Sequence, residues 1–281
     1  MPLKPPYPDL NAIVRLVGEA GQHLAEIGAT EGAAGNISVL LRWPVPEVMD
    51  LFPQRETFVL PLAAGEEVAP ELADATIVVS GSGRRLREIA RNPRGNLAVL
   101  QIGPDGRSAK VYTSRLKLFT KLTTELVSHL GIHRWAIARN PELNFHAVVH
   151  AQPLHIVYLS HLPRYQGTAE LNQSILRWQP ETIVQVPDGV GFTPYTMPGS
   201  PELMQATLAA MEAHAVVVWA KHGLIVRSDT SVKKAVDLIE YVEVASRYEY
   251  VNLTNGDAAE GLAPDELRAL CAYHGVQQSV F

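Results

Sequence analysis

Residues 216–227 read Val-Val-Val-Trp-Ala-Lys-His-Gly-Leu-Ile-Val-Arg, two short apolar runs on either side of a Lys-His-Gly turn. Runs of this length that are rich in β-branched residues are typical of strands, and a glycine permits a sharp reversal between them. Thr230 or Ser231 then caps a helix that is predicted to continue to about Asn252. The stretch therefore predicts two neighbouring strands in a sheet that is at least partly antiparallel and is covered by a helix.

The alternation of strands and helices extends from this stretch through the rest of the chain. Strands are predicted at 37–41, 57–60, 76–80, 97–102, 110–112, 147–150 and 182–186. Helices are predicted at 10–27, 84–90, 116–133, 153–160, 200–214 and from about residue 264. Because no internal repeat or long linker interrupts the pattern, residues 1–281 are expected to form a single α/β domain.

Composition and charge exclude several classes of protein. The 281 residues carry a net charge of -5 without long runs of one sign, which argues against a nucleic-acid or anionic-membrane binder. Cys271 is the only cysteine, so neither an intrachain disulfide nor a Cys-x-x-Cys pair can form. No apolar run approaches the roughly 18 residues that span a bilayer, and the N-terminal segment resembles neither a signal nor a transit peptide. A cytoplasmic protein is therefore expected.

Two loops that contain glycine are candidate anion sites. Residues 31–38, Glu-Gly-Ala-Ala-Gly-Asn-Ile-Ser, combine small residues with two side-chain donors, although a tight loop without a ligand is the alternative. Residues 76–86 predict a strand, then Ser-Gly-Ser-Gly, then a helix with Arg84 and Arg85 in its first turn. Arginine is unfavourable at the positive end of a helix unless it pairs with a negative group, which favours phosphate there. Leu86 occupies the place of the last glycine of a dinucleotide fingerprint, so that ligand is not expected.

Histidines are concentrated in one part of the sequence, with six of the ten between His129 and His161. His150 and His222 each end an apolar strand, and ligand sites of α/β sheets collect at strand ends. The pair therefore predicts imidazole ligands for a metal ion. The alternative is that both side chains form hydrogen bonds with neighbouring loops.

Glu125 lies in an apolar helical stretch, Leu-Thr-Thr-Glu-Leu, and His129 and His133 follow at four-residue spacing. A carboxylate on the inner face of such a helix would have a raised pKa and could serve as a general base. The alternative is a solvated helix face with i,i+4 pairs. Lys221 could form a Schiff base at the end of its strand, although a surface lysine is the simpler interpretation.

Six motifs in order resemble the class II aldolase/adducin family: Gly35-Asn-Ile-Ser38, Ser80-Gly-Ser-Gly83, Thr123-Thr-Glu-Leu126, His150-x-x-Pro153, Pro187-Asp-Gly-Val-Gly191 and Lys221-His-Gly223. The resemblance implies a three-layer α/β/α fold with a central, largely antiparallel sheet. It also implies a homotetramer whose active sites lie between neighbouring subunits. The implied reaction is the cleavage of rhamnulose 1-phosphate, or a related ketose phosphate, into dihydroxyacetone phosphate and an aldehyde.

The resemblance also assigns roles to individual residues. Glu125 stands in the place of the glutamate that moves the proton, and Glu181 in the place of a carboxylate that reaches a neighbour's site as a second acid or base. A divalent metal ion, with zinc as the expected one, supplies Lewis-acid catalysis in the family. The substrate phosphate is bound in the family at positions that correspond here to Asn36, Ser80, Gly81, Ser82 and Thr124.

The chain departs from the family pattern at the metal site. The usual His-x-His pair is His150-Ala-Gln152 here, while His222 matches the third ligand. Gln152 could bind through its amide oxygen, His155 could replace it from the next helical turn, or the ion could be a harder one such as magnesium or manganese. A pentulose-phosphate 4-epimerase of the same fold, or an adducin-like interaction module that has lost the metal, are the alternative functions.

Overall fold

A computed structural model describes residues 2–62 and 65–281 of the chain and is organised around one nine-stranded sheet. Its strands are β1 (Asn36–Leu41), β2 (Gln54–Val59), β3 (Thr76–Ser80), β4 (Leu97–Ile102), β5 (Ser108–Thr113), β6 (Phe145–Ala151), β7 (Val190–Thr193), β8 (Val216–Trp219) and β9 (Gly223–Ser228). The order across the sheet is β2-β5-β4-β3-β1-β6-β9-β8-β7. All neighbours pair antiparallel except β7 and β8, which confirms the predicted, largely antiparallel sheet.

Side-chain caps begin several of the helices, including the predicted cap at Ser231. Asp9, Ser200 and Ser231 each accept a hydrogen bond from a backbone N–H of the first turn that follows. The helices are α1 (Leu10–Glu26), α2 (Val48–Leu51), α3 (Leu86–Ile89), α4 (Pro93–Asn96), α5 (Leu126–Arg139), α6 (Leu154–Leu159), α7 (Thr168–Ile175), α8 (Pro180–Gln185), α9 (Pro201–Met211), α10 (Val232–Thr254) and α11 (Pro264–Tyr273).

Helices cover both faces of the sheet, because the strand side chains alternate between two buried faces. Ile37 and Val39 of β1 belong to the core formed with α1 and α10. Leu40, on the opposite face of β1, packs in a second core with Leu126 and Leu130 of α5. Helix α9 extends that second layer by packing on α5, β7 and β8. The three-layer α/β/α arrangement is therefore confirmed.

Several segments differ from the prediction, among them helices α2, α4 and α7, which were not predicted. The helix predicted at 116–133 begins only at Leu126, because residues 121–123 instead form backbone hydrogen bonds with Ser80 and Ser82 beyond the end of β3. The strand predicted at 182–186 is helix α8, which Pro180 begins. Strand β7 was not predicted, and it pairs in parallel with β8 at the edge of the sheet. A short apolar run is compatible with either a strand or a buried helix, so periodicity alone does not decide.

Within the described residues, no helix combines the length and the apolar character that crossing a membrane requires. The division of the chain into one domain over residues 1–281 stays a prediction.

Candidate active site

Three elements bring Glu125, His150 and His222 to one point at the end of the sheet. His150 lies near the end of β6, His222 lies in the turn between β8 and β9, and Glu125 immediately precedes α5. The Glu125 carboxylate is 3.7 Å from Nε2 of His150 and 3.4 Å from Nε2 of His222. One ligand atom of each residue lies within 4.8 Å of the other two. The two strand-end histidines therefore meet in space, and a carboxylate joins them.

The imidazole of His150 is held in the form that a metal ligand needs. Its Nδ1 donates to the carbonyl of Leu224 at 2.8 Å, which leaves a lone pair on Nε2. This Nε2 is buried and has no hydrogen-bond partner among the described residues. A buried polar atom without a partner is unfavourable unless a ligand completes it. The residues present therefore fit a divalent cation bound by imidazole and carboxylate groups.

The turn that presents His222 has an unusual backbone. Lys221 has φ +62°, a left-handed conformation that side-chain-bearing residues seldom adopt. The hydroxyl of Ser160, which is buried, accepts a hydrogen bond from the Lys221 N–H at 2.7 Å. A Cβ atom at Gly223 would lie 2.8 Å from Cε1 of His150, so only glycine lets β9 pass this close to the ring. Strain held by neighbouring groups is typical of functional sites.

Neighbouring groups reverse the pKa shift that the sequence predicts for Glu125. Burial alone raises the pKa of the carboxyl, but His150, a 2.7 Å hydrogen bond from the Asn36 amide and His222 together hold it below its usual value. The expectation of a raised pKa is therefore wrong, because it counted the apolar helix and not the imidazoles. The carboxylate is ionised at neutral pH and can accept a proton.

His222 is kept neutral by the same surroundings. Burial and the nearby His150 lower the pKa of the His222 imidazole to about 4, although the Glu125 carboxylate opposes the shift. A neutral imidazole is the form that binds metal ions. The site therefore offers free lone pairs at neutral pH without the need to remove a proton from His222.

The residues expected at the substrate phosphate surround the end of β3. Ser80 Oγ accepts a hydrogen bond from the backbone N–H of Ile37 at 3.1 Å, which places β3 beside Asn36. Backbone N–H groups of Gly81 and Ser82 already donate to the carbonyls of Asn96 and Lys121, at 2.9 Å each. Ser82 is partly exposed and Thr124 is exposed. A phosphate at this position would therefore contact the side chains of Ser82 and Thr124 more readily than these two amides.

Arg84 has a partner within the protein. Its guanidinium donates to Glu88 at 2.9 Å and to the Asn96 side chain at 2.7 Å. Arg85, which precedes α3, also lies 3.7 Å from Glu88. The unfavourable position of arginine at the start of a helix is thus offset by an acidic residue one turn later. The two arginines consequently give no separate indication of a phosphate.

Two of the proposed replacements for the missing histidine are placed differently. Gln152 Cγ and His150 Cε1 both lie within 3.2 Å of the point that a Cβ at Gly223 would occupy, so the Gln152 side chain stands beside the His150 ring. His155 instead forms a 2.6 Å hydrogen bond through Nδ1 with Glu243 and packs against Tyr250. His155 is thus engaged with Glu243, and Gln152 as the additional ligand stays a prediction.

Glu181 and Lys221 do not join the cluster within one chain. Glu181 is exposed on α8, where it makes no hydrogen bond or ion pair with the described residues. The sequence predicts an exposed residue at the start of a strand; Glu181 is exposed, but the element is the helix that Pro180 begins. Lys221 is also exposed, and its contribution to the site is its backbone conformation.

Sequence analysis missed what lies beneath Glu125. His129 and His133 were considered as members of a solvated helix face, but both are fully buried against β1 and β6. The four-residue spacing was visible in the sequence. The polar residues on the facing strands, which explain the burial, could not be assigned to it without the fold.

Known proteins similar to this chain agree in family. The sequence matches the family model for the Class II Aldolase and Adducin N-terminal domain over residues 15–250. It is 33% identical over 231 residues to a rhamnulose-1-phosphate aldolase of Listeria welshimeri, covering 82% of this chain and 79% of that protein. A rhamnulose-1-phosphate aldolase of Pectobacterium atrosepticum is 28% identical over 253 residues, 89% of this chain and 88% of the relative.

A solved structure extends the agreement to the fold. A sugar-phosphate aldolase from Thermotoga maritima superposes with a TM-score of 0.74 at 26% identity, over 88% of this chain and 97% of that chain. The range matched by the family model contains Glu125, His150 and His222. Since that range spans most of the sequence and includes every member of the buried cluster, the chain belongs to the class II aldolase and adducin family.

Proposed function

We propose that this class II aldolase is a divalent-metal-dependent carbon–carbon lyase that splits rhamnulose 1-phosphate, or a related ketose phosphate, into dihydroxyacetone phosphate and an aldehyde. The observation that carries the proposal is the buried cluster of Glu125, His150 and His222 with an unpartnered Nε2 on His150. Relatives over most of the chain's length are named rhamnulose-1-phosphate aldolases, which supports this substrate. The same cluster argues against an interaction module without catalysis. A buried lone pair without a partner is unfavourable, so its presence on His150 indicates that a ligand binds there.

His150 and His222 would hold the ion through nitrogen, and the oxygen ligands we propose are the Glu125 carboxylate and the side-chain amide oxygen of Gln152. Zinc is the ion we propose, because two imidazoles with one or two oxygen ligands suit it. Bound there, such an ion would polarise the keto oxygen of the substrate as a Lewis acid.

Glu125 is the group that moves the proton at the reacting carbon. Cleavage of the ketose leaves an electron pair on the carbon beside the keto group, and that carbon must take up a proton to give dihydroxyacetone phosphate. In cleavage, the ionised Glu125 carboxylate, held in place by Asn36 and two imidazoles, can take up the proton that the substrate hydroxyl releases as the aldehyde forms. The resulting carboxylic acid can give a proton to this carbon, which leaves Glu125 ionised again, and in the reverse reaction the carboxylate removes that proton. Asn36, Ser80, Gly81, Ser82 and Thr124 remain the proposed surroundings of the phosphate.

Glu181 is proposed as a second acid or base that acts in a neighbouring subunit. Its exposure on α8 leaves it available to a second copy of the chain. This role requires the homotetramer that the family resemblance implies, which we retain as part of the proposal together with a cytoplasmic location.

Elemental analysis of the purified protein, combined with a cleavage assay, tests the proposed function. Rhamnulose 1-phosphate is incubated with the protein as purified, after chelation, and after zinc, manganese or magnesium is restored. We expect bound metal, loss of cleavage on chelation and recovery with zinc. His222→Ala should lower the metal content, since it removes one of two imidazoles. A protein that binds none of these ions and cleaves nothing after their addition would contradict the proposal.

A further inference from the structure

A row of buried polar side chains runs away from Glu125 through the layer between α5 and the sheet. Glu125, His129 and His133 follow at four-residue spacing, on the face of α5 that packs against the sheet. Ser38 of β1 and His146 of β6 face them from the sheet, on strands that are direct neighbours. All these side chains are 0% exposed except Glu125, which is 5% exposed.

Each member of the row is hydrogen bonded to the next. Asn36 Oδ1 lies 2.5 Å from His129 Nε2, and His129 Nδ1 lies 2.6 Å from Ser38 Oγ. Ser38 Oγ in turn lies 2.8 Å from His133 Nε2, and His133 Nδ1 lies 2.7 Å from His146 Nδ1. With the 2.7 Å bond from Asn36 Nδ2 to Glu125, five hydrogen bonds in sequence connect the proposed base to His146 on β6.

The ionised Glu125 carboxylate fixes which atom donates and which accepts in every hydrogen bond of the row. An ionised carboxylate can only accept, so Asn36 must present its NH2 group to Glu125 and its oxygen to His129. His129 then carries its proton on Nε2, and its bare Nδ1 accepts the single proton of the Ser38 hydroxyl.

The direction continues through the remaining histidines. Because the Ser38 hydroxyl has donated its proton, it accepts from Nε2–H of His133, and His133 Nδ1 accepts from Nδ1–H of His146. The last nitrogen, His146 Nε2, is left with a lone pair. This atom lies 3.6 Å from Oδ1 of Asp229, and neither atom has a hydrogen-bond partner in residues 2–62 and 65–281, as expected where two acceptors face each other.

Burying three imidazole rings in a protein core is unfavourable, because their polar nitrogens lose contact with water. Burial lowers the pKa of His129 and of His146 to about 3, and that of His133 well below its usual value, so all three are neutral. Apolar side chains of similar volume would pack there without desolvating any polar atom. The polar row must therefore contribute something other than packing.

We propose that His129 is a positioning residue whose tautomer, fixed by Ser38, His133 and His146, holds the Asn36 amide with its NH2 group toward Glu125. The inference rests on the proposed role of Glu125 as the proton carrier. If His129 carried its proton on Nδ1, its bare Nε2 would face the Asn36 oxygen. The Asn36 side-chain amide would then rotate by half a turn, and its oxygen would face and repel an oxygen of the Glu125 carboxylate. Glu125 would leave its position between His150 and His222.

The tautomers can be observed directly in the zinc-loaded wild-type protein. Histidine is labelled with nitrogen-15, and the chemical shift of each ring nitrogen shows whether it carries a proton. We expect protons on Nε2 of His129, Nε2 of His133 and Nδ1 of His146 at neutral pH. A proton on His129 Nδ1, or a mixture of both tautomers, would overturn the proposal. This result does not depend on activity, so it is separate from any failure of the proposed function.

Ser38→Ala tests the consequence for catalysis. The variant removes the hydroxyl that fixes the His129 tautomer, so we expect both tautomers of His129 and a kcat about 10- to 100-fold lower, with KM nearly unchanged. Ser128→Ala is the matched control, because Ser128 is equally buried on α5 and its hydroxyl finds no hydrogen-bond partner in the part of the chain that the structure describes. A Ser38→Ala enzyme with the kcat of Ser128→Ala would contradict the positioning role. If Ser38→Ala does not fold, the histidine tautomers measured in the wild-type protein still test the proposal.

Discussion

At the scale of single residues, Glu125 shows how neighbours outweigh burial. The side chain is almost inaccessible to water, which alone would favour its neutral form. His150, a hydrogen bond from the Asn36 amide and His222 together keep the pKa of the carboxyl below its usual value. A buried carboxylate that is ionised and held in place is well suited to remove a proton from carbon.

Glu125→Gln should therefore abolish proton transfer while leaving the substrate bound. The substitution keeps the shape of the side chain but cannot accept a proton. We expect exchange of the carbon-bound proton of dihydroxyacetone phosphate in heavy water to fall at least about 100-fold, with its binding within a few-fold of wild type. Proton NMR measures the exchange, and metal content is determined in parallel.

Glu260→Gln is the control for this substitution, because Glu260 is exposed in the segment before α11. It should exchange the proton at the wild-type rate. Exchange by Glu125→Gln at that same rate would remove Glu125 from the role of proton carrier.

Substitutions of Gln152 should change the affinity of the site for zinc. An imidazole is a better zinc ligand than an amide oxygen, and the Gln152 side chain already stands beside His150. We expect Gln152→His to bind zinc about 10-fold or more tightly than wild type, and Gln152→Ala to bind it more weakly. Competition with a chromophoric chelator measures both. Equal zinc affinities in Gln152→Ala and wild type would show that the amide is not a ligand.

At the scale of elements, the turn between β8 and β9 depends on a residue from another part of the chain. Ser160 follows α6, and its hydroxyl donates to the Val157 carbonyl at 2.6 Å while accepting from the Lys221 N–H. Ser160→Ala would leave that partly buried N–H without its acceptor. We expect the free energy of unfolding to fall by about 1–3 kcal/mol and zinc affinity to fall about 10-fold, because His222 is the next residue. Chemical denaturation and zinc titration measure the two effects.

Ser174→Ala is the matched control, since the hydroxyl of Ser174 also donates to a carbonyl within a helix but contacts nothing at the site. It should change the free energy of unfolding by less than about 0.5 kcal/mol. If Ser160→Ala behaved in the same way, the turn would not depend on Ser160.

The sequence predicts well those elements whose signals are local. Strands β3 and β4 have the predicted bounds, and Ser231 caps α10 as expected. The predicted helix at 116–133 starts ten residues too early, because contacts of 121–123 with distant Ser80 and Ser82 override local periodicity. Helix α8 was mistaken for a strand for the same reason, since its apolar face meets α10 and α11.

At the scale of the whole molecule, sequence reasoning reaches the antiparallel character of the sheet but not its order. Tight turns after β4 and β8 reveal which consecutive strands pair. That β1 lies between β3 and β6 depends on contacts between segments over 100 residues apart, which no local pattern encodes. Likewise, His150 and His222 could be selected as strand-end histidines, whereas the link from Glu125 through Asn36 to the buried imidazoles required the assembled layers.

The buried histidines make the folded molecule sensitive to acid. His129, His133 and His146 are neutral when folded but take up protons near pH 6.5 when unfolded. Below that pH the unfolded state binds more protons, so stability falls as pH falls, until the folded pKa of about 3 is approached. Each imidazole costs about 1.4 kcal/mol per pH unit in this window. His222, with a pKa of about 4, adds a fourth in the metal-free protein.

We therefore expect the metal-free protein to lose about 4–5 kcal/mol of stability for each pH unit below 6.5, a slope of three to four protons. A typical domain with about 5–15 kcal/mol to lose would therefore unfold between about pH 5.5 and pH 3.5, depending on its stability at neutral pH. Urea denaturation between pH 7.5 and 5 measures the slope.

His146→Phe should reduce this slope by about one proton even if it lowers stability overall, whereas His274→Gln, which alters an exposed histidine after α11, should leave it unchanged. A wild-type slope below one proton would mean that the imidazoles of the polar row are protonated in the folded protein, and the hydrogen-bond direction deduced for them would be untenable.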